Sequence, residues 1–142
     1  MDDLEIAKKM LIEKGFSLVI VKLGKVIYVA NDHGVKSFLN AIKKHGDELS
    51  ESTVADKVVG MAVAMLCKYS KIRGVYGEVM SIRALEKLLE SGIIAQYKVL
   101  VPEILNSGRI EICPLERIAI SCKNETECYE KLLLFLSNQE NH

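Results

Sequence analysis

The chain has 142 residues, a mass of 15.8 kDa and equal numbers of basic and acidic side chains, 19 of each. That is the length of one domain with a single sizeable core. The zero net charge argues against a protein that coats DNA or RNA, which needs a basic surplus to displace counterions. No apolar run reaches the roughly 20 residues that span a bilayer.

Residues 2–14 have Leu4, Ile6, Ala7, Met10 and Leu11 at helical spacing, and Gly15 stops that helix. Phe16 to Val21 and Val26 to Ala30 read as two strands across the short turn Leu23-Gly24-Lys25. Two β-rich runs so closely joined make an antiparallel hairpin. Residues 35–44 follow as a helix that closes near Gly46, and 47–52 as a polar loop.

Residues 54–69, VADKVVGMAVAMLCKY, are apolar on almost every face after Lys57. They read as one helix buried in the domain centre. Residues 72–78 read as a third strand, and Ser81 caps a helix over 82–91 that stops at Gly92. Tyr97 to Val101 form a fourth strand ended by Pro102. Residues 103–107 read as a helical turn, while 110–112 and 118–120 read as short strands around Pro114. Asn124 caps a last helix over 125–137. Strands alternating with helices imply parallel pairs with right-handed crossovers. The expected architecture is a single α/β domain over residues 1–142, a three-layer α/β/α sandwich with a mixed sheet that opens on an antiparallel hairpin.

The amino terminus, Met1-Asp2-Asp3-Leu4-Glu5, has neither the positive start nor the apolar stretch of a secretory signal, so a cytoplasmic location is expected. The four cysteines, 67, 113, 122 and 128, include no C-x-x-C pair and read as thiols. Cys67 reads as a buried small hydrophobe, and Cys122 and Cys128 flank a helix start at a distance that allows contact. The P-loop, G-x-G-x-x-G and G-x-S-x-G patterns are all absent.

The order of hairpin, buried central helix, strand and capped helix resembles the cytidine-deaminase-like fold. In those enzymes the helix after the hairpin begins H-A-E or C-A-E, with a zinc ligand and a proton-shuttling Glu. The next begins P-C-x-x-C and supplies two more ligands. Placed on this sequence, the first start falls at Val54-Ala55-Asp56, with Val at the ligand position and Asp where Glu would stand. The second falls at Val79-Met80-Ser81-Ile82-Arg83, with Met80 and Arg83 at the cysteine positions. No zinc site is expected from those side chains, and so no metal-activated water. The stretch VADKVVGMAVAML followed by GVYGEVMSIRALEKL is also similar to a small prokaryotic family of unknown function with a zinc-less version of this fold.

The resemblance implies a crevice at the two helix starts. Helix amino termini carry unpaired N–H groups and partial positive charge, which suit a phosphate or diphosphate. Asp56 reads either as the fourth residue of a capping box begun by Thr53 or as a carboxylate at the crevice, where it could also accept a group as an ester. Lys57 reads as a phosphate contact or a solvated charge. Ser81 reads as a plain cap or a ligand donor. Arg83 reads as a surface charge or a bidentate phosphate grip. Glu78 either lines the crevice or faces solvent. Asn31 either makes a turn with Asp32 or, as in deaminases of the fold, holds the sugar or base. The candidate ligand-binding set is therefore Asn31, Val54, Ala55, Asp56, Lys57, Glu78, Ser81 and Arg83, with no metal ligand among them. His33 and His45 read as turn or cap residues and His142 as tail.

Three functions remain open: a metal-free module for a nucleotide or ADP-ribose-like ligand, an interaction protein with a vestigial site, and a metal-independent enzyme using Asp56. The expected partners are a small-molecule nucleotide and further copies of the chain, with neither nucleic acid nor membrane. Helix 125–137 is a candidate surface for the homo-oligomer.

Overall fold

The computed structural model describes residues 1–32, 34–106 and 111–140. Helix α1 (Asp3–Lys14) is capped by the Asp2 carboxylate, which accepts from the Glu5 N–H, and ends on Gly15 at φ +71°. The hairpin follows as β1 (Leu18–Lys22) and β2 (Lys25–Ala30), and α2 (Gly34–His45) comes next. A short 3-10 turn (Gly46–Leu49) leads into β3 (Thr53–Val59). Then come α3 (Met61–Tyr69), β4 (Gly74–Ser81), α4 (Ile82–Glu90) and β5 (Ile94–Val101). The chain closes with α5 (Pro114–Ser121) and α6 (Glu125–Glu140).

The sheet runs β2-β1-β3-β4-β5. The β2–β1 and β1–β3 pairs are antiparallel, and β3–β4 and β4–β5 are parallel. This is the mixed α/β/α sandwich expected from the sequence. Helix α1 packs one face, where Ala7 and Leu11 meet Val19, Val21, Ala55 and Tyr76. Helices α2, α3 and α4 cover the other face, with α5 and α6 outside α3. The larger core there is built on Phe38, Leu66, Leu88 and Leu132.

Three expectations are corrected. The single helix over 54–69 is instead strand β3, a break at Gly60, and helix α3. Thr53, Val54, Val58 and Val59 are β-branched, and a parallel strand buried on both faces is apolar without alternation. Val54 and Ala55 are therefore fully buried strand residues on opposite faces, not a helix start. Residues 118–120 are helical: Pro114 opens α5 at a position where its missing N–H is harmless. Residues 103–106 form no helical turn, and Leu105 instead bridges to Ile112. Residue 107, the rest of that segment to 110, His33 and His142 lie outside the described residues.

The closing helix keeps its Asn124 cap, whose side chain accepts from the Glu127 N–H at 2.8 Å. Among the described residues no helix is long and apolar enough to cross a membrane.

Candidate functional site

Strand β3 delivers Asp56 to the carboxyl end of the sheet, between Leu18 of β1 and Gly77 of β4. Alternation puts Asp56 on the same face as Val54, under α2 and α3. The strand then breaks its alternation. Lys57 and Val58 are exposed, and Val59 turns back into the larger core. Gly77 makes room for that turn, because a Cβ there would lie 2.8 Å from Val59 Cγ2.

Asp56 is only 2% exposed. Its Oδ1 accepts a hydrogen bond from the Val58 N–H at 3.2 Å. Its Oδ2 is buried with no hydrogen-bond partner among the described residues. Burial pushes the carboxyl up to about 7, against the opposing pull of the Val58 and Lys57 N–H groups. Such a group exchanges a proton near neutral pH and can accept or donate one hydrogen bond through its free oxygen.

Asp56 lines a cavity of about 500 Å³. Gly34, Val35 and Lys36 enter it from the start of α2, and Gly60 and Val63 from the start of α3. Leu115 and Glu116 of α5, Ile104, Cys113 and Leu136 complete a mainly apolar wall. Ser17 also borders it, its hydroxyl held by the carbonyls of Ala30 and Asp32. Lys57 stands exposed at the rim.

Glu116 is a second buried carboxylate in that wall, 5% exposed. It accepts from the Met61 N–H at 2.6 Å and the Ala62 N–H at 2.9 Å, capping α3. Burial pushes its carboxyl above the usual range, and the two N–H bonds oppose that rise. Gly60 is shaped to this contact, since a Cβ there would lie 2.5 Å from the carboxylate atoms. Sequence reading missed Glu116. The available signal was Pro114-Leu115-Glu116, a proline at a helix start followed by an acid in the first turn.

Of the sequence-derived set, Asp56 and Lys57 meet at this cavity. Asn31 is exposed beyond the end of β2. Val54 and Ala55 are core. Glu78 lies half-buried within β4. Ser81 is buried and caps α4, accepting from the Ala84 N–H at 3.1 Å. The Arg83 Nε donates to Glu103 at 3.3 Å. The helix starts that converge on the cavity are those of α2 and α3, one unit earlier in the chain than expected. His45 closes α2 and bonds Glu48 through Nδ1. Cys122 and Cys128 do lie against each other. Among the described residues no group of three His, Cys, Asp or Glu side chains is placed to hold a metal ion.

A mixed five-stranded sheet, a leading hairpin, and two helices opening on a pocket at the strand ends define a cytidine-deaminase-like fold. A crystal structure of dCMP deaminase from the cyanophage S-TIM5 superposes with a TM-score of 0.53 at 13% identity. That match covers 68% of this chain and 99% of the other. Residues 6–136 match the TM1506 family, a domain of unknown function designated DUF1893, and the chain belongs to that family. The crystal structure of a DUF1893 protein from Thermotoga maritima has a TM-score of 0.84 and 28% identity, over 92% of this chain and 88% of that one. No curated protein matches the chain.

Proposed function

We propose that the protein is a metal-free binding module for a nucleotide or ADP-ribose-like small molecule, and that it does not carry out zinc-dependent deamination. The observation that carries this reading is the Asp56 Oδ2, a buried oxygen with no partner among the described residues, on a residue that lines a ligand-sized cavity. Buried polar atoms are almost always paired, and an orphan in a pocket marks the place of a missing partner. The apolar wall suits a flat ring, and the exposed Lys57 suits a phosphate at the mouth. Among the described residues, the first turns of α2 and α3, Gly34-Val35-Lys36 and Met61-Ala62-Val63, lack the H-A-E and P-C-x-x-C patterns, which supports this reading.

The test is calorimetry with a panel of nucleosides, nucleotides and ADP-ribose, on the wild-type chain and on Asp56→Ala. One ligand class should bind, and Asp56→Ala should weaken it about tenfold or more, the effect of losing one buried charge-assisted hydrogen bond. A panel without a binder, or equal binding by the variant, refutes the reading. Denaturing mass spectrometry of the purified chain separates a bound ligand from an ester on Asp56.

A second reading, homo-oligomerisation, is favoured by β5. It is an edge strand that exposes Ile94, Tyr97, Val99 and Leu100. A long apolar edge with unpaired backbone groups invites a second strand. The closing helix serves this reading less well, because its Cys128 and Leu132 are already buried in the core. Light scattering should give a dimer or larger species, converted to monomer by Val99→Lys. A monomeric wild-type chain would end this reading.

A further inference from the structure

The sequence places an anion at converging helix starts, but the structure has already filled one of them. The first N–H groups of α3, a nine-residue helix, point at a carboxylate supplied from 55 residues away. Gly60 itself has ordinary backbone angles, φ −105° and ψ −169°, so its lack of a side chain answers to Glu116 and not to the turn. The same cavity holds the Asp56 oxygen that has no partner among the described residues. An anion entering there would meet two acidic side chains and find the first two α3 N–H groups, those of Met61 and Ala62, taken by Glu116.

We propose that Glu116 is a specificity residue: it occupies the anion-binding start of α3 and so reserves the inner wall of the Asp56 cavity for the uncharged, hydrogen-bond-donating part of a ligand. This rests on the pocket reading above and deepens it. The ring of a nucleotide-like ligand lies inward, with an N–H directed at Asp56 Oδ2, and its phosphates stay outside near Lys57. The physical ground is that a carboxylate and a phosphate repel strongly where water is excluded, whereas an N–H donor pairs with the free oxygen at little cost.

The test uses inorganic phosphate alone, so its outcome is readable whether or not any nucleotide binds. Amide spectra of the 15N-labelled wild-type chain, Glu116→Ala and Glu116→Ser are followed during a phosphate titration. In the wild type the Met61 and Ala62 amides should not move. In both variants they should shift, with phosphate binding about tenfold tighter or more. If removal of Glu116 prevents folding in plain buffer, phosphate or acetate should restore a cooperative melting transition by filling the vacated place. Equal phosphate responses in wild type and variants, or misfolded variants that no small anion rescues, would overturn the proposal.

Discussion

At pH 8 the Asp56→Asn variant should melt at a higher temperature than the wild-type chain, and at pH 4 the two should melt together. This is the expected result of a carboxyl held at about 7 in the folded state against an unfolded value of 3.8. The folded state holds its proton more tightly than the unfolded chain. Stability contributed by that proton is fully present below pH 3.8 and is lost as the pH rises towards 7. The shift corresponds to roughly 4 kcal/mol at pH 8. Asparagine removes the ionisation, although its amide must still be buried, so a gain of about 2–4 kcal/mol is expected. Glu116 is shifted the same way and adds to the fall in wild-type stability as the pH rises above its ordinary value of 4.5. Melting curves of both chains from pH 4 to pH 8 check the point. If Asp56→Asn is less stable at pH 8, the carboxylate is an ordinary structural group. A residue that destabilises its own fold at neutral pH is what a site retained for binding looks like.

The second large effect is at Gly60. Alanine there should destabilise the chain by about 2–3 kcal/mol, because the new Cβ drives Glu116 from the start of α3 and two N–H groups lose a charged partner. The backbone angles of Gly60 tolerate alanine, so the loss should depend on Glu116. In a Glu116→Ala background, Gly60→Ala should cost less than about 0.5 kcal/mol. Urea denaturation of the four chains of this cycle measures the coupling. Additive losses would show that Gly60 serves the backbone and not the carboxylate.

Most of the layout was legible in the sequence because its punctuation is local. Gly15, Asn124, Ser81 and Pro102 each act within a few residues, and each bounds an element as expected. The error at residues 54–69 has a physical origin. A strand buried on both faces and a buried helix are both continuously apolar, and periodicity cannot separate them. The one cue, Gly60 inside the run, is a break that the helix reading absorbed. That error moved the crevice one βα unit along the chain and brought in Ser81 and Arg83, which cap α4 and pair with Glu103 instead. Asp56 stands out in either reading, as an acid inside an apolar run. Glu116 could not be placed, because its partners lie 54 and 55 residues away and only the packing of α5 on α3 joins them.

The two faces of the sheet share backbone but no side chains. Among the described residues Val19, Val21, Ala55 and Tyr76 pack with α1 and Phe16, while Leu18, Ile20 and Val54 answer to the helices around the pocket. Substitutions far apart and without common partners act independently. Homologous chains can therefore drift in the α1 layer, exchanging its small cluster piece by piece, without compensating changes beside Asp56. Correlated substitutions should be confined to one side of the sheet or the other.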